Sequence, residues 1–445
     1  MTERKRWLAG AVGLALGVVL SLESGLRGQV PPAPPMDANK TLFPVQEMRD
    51  GKRRVVDSDK QTTKENREAL RRAAQSLAYR IAQPPYNGDP PVEKKGSPPL
   101  EEMMTIMTIP RLMDEAQRLF TPPLGANKKL SEMQLEYVRE FAPLIDKELH
   151  VVLEKGTKPI VRINAARMLS LAARTLGYPG FAEGLMAIIK DPNIPQPVKL
   201  YAFEGLKNLL AQPGPDANQP HIFEDTAKLG EIADTLAEYI LKPHEPESKD
   251  PKAAEVVRFI RREAIRAFCQ LRVSVVKDRA NVVKAKTKPS VLAMRIALGD
   301  DVFVPSLSLS ERIEGLIGFM NMHPDVDENP DVAAYGIILA MLELVRAQGD
   351  ADKTIPWKVT GARLSAAVDN LKANTIEALA PRLRERYTKV AEVVAPIAKA
   401  IEESGEKAKP DAIPINEWAQ QQAPMTNLLF KDDQQSALKG PQQKK

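Results

Sequence analysis

Cysteine is almost missing from this 445-residue chain: Cys269 is the only one, so no disulfide can form within it. It lies in the apolar-rich run Ile265-Arg266-Ala267-Phe268-Cys269 with no catalytic partner pattern beside it, and reads as a small core residue. There are four histidines, His150, His221, His244 and His323. No two are spaced to put a pair of ligands on one helix face, which argues against a zinc enzyme. Aromatic residues make up only 5% of the chain, a poor supply for β-sandwiches and a good match to closely stacked Ala- and Leu-rich helices. Gly-x-Ser-x-Gly, a phosphate-cradling Gly-rich loop and Cys-x-x-Cys-His are all missing. Gly299-Asp300-Asp301 follows a helical run and reads as its stop. The charge excess is also small. With 63 basic and 58 acidic residues the formal charge is +5, which is not the footprint of a dedicated nucleic-acid binder. Removing residues 1–28, four basic and two acidic, leaves about +3.

What is present begins with an export pattern. Arg4, Lys5 and Arg6 precede the largely apolar run Leu8 to Leu22, which is short for a membrane span. Residues 1–28 are expected to act as a signal peptide, cut after Ser21, or as an uncleaved anchor that tethers the chain to a membrane. Residues 29–66 open with Pro31-Pro32-Ala33-Pro34-Pro35 and read as an extended, charged linker. Lys52-Arg53-Arg54 within it reads as solvated linker. Residues 67–405 carry helical periodicity, and residues 406–445 turn polar and read as a disordered tail. Trp418 and Leu428-Leu429-Phe430 are apolar points in that tail, suited to docking back or to a partner.

Within the helical region, Leu70, Ala73, Ala74, Leu77 and Ile81 fit one face of a helix that Pro84-Pro85 ends. Met103, Met104, Met107 and Met113 read as adaptable core. Pro143 is expected to divide Leu130–Phe141 from Leu144–Leu153. Further helical patterns fill Ser310–Met322, Pro330–Ala347 and Val359–Glu403, with Pro381 as a break.

One phrase recurs. Val161-Arg162 is followed by Ala165, Ala166 and Leu169, and Val198-Lys199 by Ala202, Gly205 and Leu206, each seven residues after an acid, Glu154 or Asp191. The small residues let a second helix come close. The phrase resembles the HEAT repeat, an acid in the turn between two helices followed by Val-Arg or Val-Lys and two small sites before Leu. The resemblance covers about residues 154–272 and implies an irregular α-solenoid of stacked helix pairs, with Glu154, Arg162, Asp191 and Lys199 forming a ladder between repeats. A third copy fits two registers, Val257-Arg258 with Arg261 at the first small site, or Ile260-Arg261 with Ala264, Ala267 and Phe268. The intervals of 37 and 59 residues between copies show that regularity is lost.

The densest acidic stretch is His323-Pro324-Asp325-Val326-Asp327-Glu328-Asn329-Pro330-Asp331. Asp325, Asp327 and Asn329 mimic the first three ligands of a calcium loop, but Pro330 replaces the necessary Gly and Gly336 the closing Glu. Two readings stand: a metal site of another kind using Asp325, Asp327 and Glu328, or a solvated turn capping the next helix. With no cofactor expected, the whole reads as an all-α, non-enzymatic scaffold in the periplasm or cell envelope. Its partner is expected to be a protein, held on a concave helical face. A binder of envelope polymer or another polyanion would instead use the mild positive excess, and a helical enzyme would need an ionisable cluster that the sequence does not display.

Overall fold

The computed structural model describes residues 54–55, 64–90, 99, 107–121, 132–213, 222–244, 251–278, 280–349, 355–374 and 381–404, all within one compact unit, 43–445. The export segment, most of the Pro-rich linker, Met103, Met104 and the polar tail with Trp418 and Phe430 lie outside the described residues. The described residues form an irregular α-solenoid of thirteen helices: α1 (Lys64–Arg80), α2 (Ile109–Phe120), α3 (Glu132–Lys155), α4 (Pro159–Leu176), α5 (Phe181–Lys190), α6 (Gln196–Leu210), α7 (Thr226–Leu241), α8 (Pro251–Cys269), α9 (Pro289–Leu298), α10 (Leu309–Met320), α11 (Pro330–Gly349), α12 (Trp357–Asn374) and α13 (Pro381–Ser404). Among them the only β contacts are two isolated bridges.

The helices stack as two facing rows. The even-numbered helices α2 to α12 pack each on the next. The odd-numbered row runs α1–α3–α5–α7 and resumes as α9–α11–α13. Between α7 and α9 the chain detours through 270–288, whose backbone abuts α7. The Asp234 carboxylate of α7 accepts from Lys286 N–H at 2.9 Å and Thr287 N–H at 3.1 Å, and Gly230 has no room for a Cβ because the Lys284 carbonyl lies against it. The detour also pairs with the turn before α11, Ser274 N–H donating to His323 O at 3.1 Å. This segment follows the third copy of the phrase, so it lengthens the spacing from α8 to α10.

In the even row the recurring phrase marks the helix–helix seams. Ala165, Ala202, Met168, Leu169 and Leu206 are fully buried, and a Cβ on Gly205 would lie 2.9 Å from the Leu185 methyls. α8 adopts the second of the two registers open to it: Ile260, Arg261, Ala264, Ala267 and Phe268 are buried while Val257 is half-exposed. α10 repeats the pattern as Glu311-Arg312, Gly315, Gly318 and Phe319, and α12 as Trp357-Lys358, Gly361 and Leu364. Gly318 lies directly against the Cys269 side chain, so the lone cysteine is a packing residue at the α8–α10 seam. Ala165→Leu or Ala202→Leu is expected to overpack these seams and cost about 1–3 kcal/mol each by chemical denaturation. Parent-like unfolding of both variants would remove the phrase's packing role.

Pro143 does not divide its segment, because α3 runs unbroken from Glu132 to Lys155. Pro143 removes one backbone donor and faces solvent, while Phe141, Ala142 and Ile145 around it are fully buried. The packing of that face outweighs the lost hydrogen bond. Pro110, Pro159, Pro197 and Pro289 sit instead in first turns, where no donor is needed.

Candidate functional site

Each even-row helix turns one strip away from the opposite row. No residue of α6 or α10 is fully exposed, and α4 exposes only Pro159 and Arg174 near its ends. On α4, α6 and α10 the strip is therefore recessed, whereas α8 exposes Phe259 and α12 Val359 along it, and the odd row presents fully exposed polar residues such as Arg139 and Lys147.

Along the recess runs a chain of ion pairs. Lys207 of α6 reaches Glu263 of α8 at 3.4 Å, Glu263 pairs with Arg266 one turn on, and Arg266 reaches Glu314 of α10 at 2.7 Å. Arg363 of α12 closes on the same carboxylate at 2.5 and 2.8 Å. Burial alone would push the Glu314 carboxyl up, but the Arg363 and Arg266 guanidiniums bring it down to about 2. This inter-helix ladder does not use the residues that the repeat pattern implied. Lys199, whose ammonium burial pulls down, donates to Ile189 O at 3.0 Å, and Asp191 accepts from Asn193 N–H at 2.8 Å within its own turn. Arg162 occupies the place of Lys199 in α4, and Glu154 is exposed on α3. Val161 and Val198 are buried seam residues.

Two cations of the recess stand outside the ladder. Arg262 lies between α8's paired residues, its guanidinium 5.2 Å from the Phe259 ring. Its Nε is buried with no hydrogen-bond partner among the described residues. Burial and the neighbouring Arg266 charge both push Arg262 below its ordinary value. On α4, Arg167 holds the register position that Arg266 holds on α8, but the facing residue on α6 is Tyr201, where α10 supplies Glu314. Burial raises the Tyr201 hydroxyl, and the Arg167 charge opposes that rise.

A second concavity, of about 360 Å³, lies between α3 and the start of α5, lined by Asp146, Lys147, His150, Glu154, Glu183 and Gly184. Burial pulls the His150 imidazole down, but its Asp146 hydrogen bond and charge prevail and raise it to about 9. It is thus an imidazolium at neutral pH, poorly suited to act as a base. His244 rests on Tyr239 O at 2.8 Å, and His221 lies outside the described residues.

The acidic stretch is split. Lys277 reaches Asp325 at 2.8 Å and Asp327 at 3.3 Å, whereas Glu328 is buried and accepts from Tyr387 O–H at 2.5 Å. Asn329 accepts from Asp331 N–H at 3.1 Å in the first turn of α11. Among the described residues no group of three or more His, Cys, Asp or Glu side chains is placed to hold a metal ion. Asp325→Asn with Asp327→Asn is expected to cost about 1 kcal/mol, from the partly buried Lys277 pair. The loss should be equal in chelator and in millimolar calcium. A calcium-dependent rise in the melting temperature of the parent alone would restore the metal reading.

The recess was not marked as a site by the sequence, since its residues come from five helices and share no motif. Its one sequence signal is the register: Arg167, Arg266 and Arg363 recur six residues after the phrase's first position in α4, α8 and α12. Among the described residues no helix is long and apolar enough to cross a membrane. No protein-family model, curated protein or solved structure matches this chain.

Proposed function

We propose that this chain is an exported, HEAT-like scaffold that holds a partner protein along the recess of α4, α6, α8, α10 and α12. The carrying observation is that recess: half-buried arginines interleaved with Tyr201 and Phe259 on helices whose other faces are committed to the core. Arginine and aromatic residues in partly desolvated settings are the side chains that anchor protein interfaces. Export is proposed from Arg4, Lys5 and Arg6 ahead of Leu8–Leu22. Fusing a reporter active only outside the cytoplasm after residue 66 tests it; an expressed but inactive fusion removes the envelope from the reading.

The binding role is tested by in vivo cross-linking from a photoreactive residue at Leu200 in the recess, with another at Arg139 on the odd row as control. A discrete adduct from Leu200 that Tyr201→Ala with Phe259→Ala abolishes supports the scaffold. Adducts only from Arg139, or none, count against this face.

A further inference from the structure

We infer that the recess receives an acidic, extended segment of the partner, with its carboxylates set on Arg262 and Arg167. The inference rests on the scaffold reading and adds the chemistry of the segment. Lys207, Arg266 and Arg363 already have carboxylates from the neighbouring helix. Arg262, in the same strip, has no carboxylate within ion-pair distance among the described residues and its buried Nε lacks an acceptor, while the Arg266 charge beside it is opposed by those of Glu263, Glu314 and Glu311. A carboxylate from outside would accept two parallel N–H bonds from the Nη groups of a guanidinium held over Phe259. Arg167 offers a second such place two even-row helices away, with Tyr201 where the ladder would otherwise place an acid.

The occupant also needs apolar side chains. Phe259 is 41% and Val359 58% exposed in the same recess, and Leu200 lies half-buried between the two arginines. Glu204 of α6, an acid between Arg167 and Arg262, interrupts any track for a uniform polyanion, which needs many unpaired bases in succession. The length suits a peptide. Five helices at about 9 Å spacing span roughly 36 Å, close to the ~40 Å reach of about a dozen extended residues at ~3.3 Å each.

The test selects random peptides of about that length on the full chain and on Arg167→Gln, Arg262→Gln and the double variant, each checked for unchanged helicity and melting. Peptides enriched in Asp and Glu with interspersed apolar residues are expected. A synthetic copy of the best one should bind about tenfold more weakly to each single variant, and weaken further as salt rises. Its Asn/Gln counterpart should lose at least as much. Inorganic polyphosphate is the comparison probe. If it binds more tightly than every selected peptide and loses affinity on the double variant, the recess is a polyanion track and the peptide inference fails. Selected peptides with no acidic excess that still need Tyr201 and Phe259 would overturn the carboxylate assignment while leaving the scaffold standing. Peptides indifferent to all four residues would overturn both.

Discussion

Arg261→Met is expected to destabilise the chain by about 3–5 kcal/mol, one of the two largest single-residue losses anticipated here. Arg261 and Glu311 both have fully buried side chains, joined at 2.6 and 3.3 Å across the α8–α10 seam. Glu311 is also the acid of α10's capping box, accepting from Ser308 N–H at 2.7 Å and from its hydroxyl at 2.8 Å. Methionine fills much of the arginine's aliphatic volume but leaves a carboxylate in the core with no ion-pair partner, hydrogen-bonded by the Ser308 donors. The cost comes from that orphaned charge, because an intact buried pair contributes little beyond its own desolvation. Adding Glu311→Gln removes the charge while keeping a carbonyl oxygen for Ser308, so the double variant should regain most of the loss. Urea denaturation of the parent, both singles and the double measures the coupling. Additive losses would mean that the pair does not hold the seam.

This pair also shows how far the sequence could be read. The phrase Val-Lys-x-x-Ala-x-x-Gly-Leu in α6 was legible because its small residues meet a neighbour at helical spacing, and the same logic identifies α4. In α8 the sequence left two registers open, since Arg261 suits an exposed position as readily as a buried base. What decides is Glu311, fifty residues away on α10, where the phrase predicts Val. Periodicity along one helix cannot reveal such a partner. α10 and α12 escaped for a related reason: Glu311 and Trp357 stand at the apolar site, so the pattern appears only after stacking aligns them. The recess was hidden in the same way, because Arg262 is distinguished by an acid it lacks.

Glu314 supplies the second large effect, and it is pH-dependent. Its carboxyl is brought from the ordinary 4.5 to about 2 by Arg363 and Arg266, against the opposing pull of burial. A carboxyl lowered on folding stabilises fully above its unfolded value and loses that stabilisation as pH falls toward the folded one. At neutral pH the contribution is about 3 kcal/mol, discounted little because only 6% of the side chain is exposed. Glu314→Gln is accordingly expected to lose about 2–3 kcal/mol at pH 7, where Arg266 retains Glu263 and Arg363 turns to water. Between pH 4.5 and 2 the parent should lose its advantage, so the two stability curves converge on acidification. Glu328 works in the opposite sense: burial raises its carboxyl, so its contribution falls as pH rises above the ordinary carboxylate range, outside the window of Glu314. Urea midpoints of parent and Glu314→Gln at intervals from pH 7 to pH 2.5 separate the two effects. Curves that stay parallel would mean that Glu314 holds α8, α10 and α12 together by shape alone, and that the ladder along the recess carries no ionic share of stability.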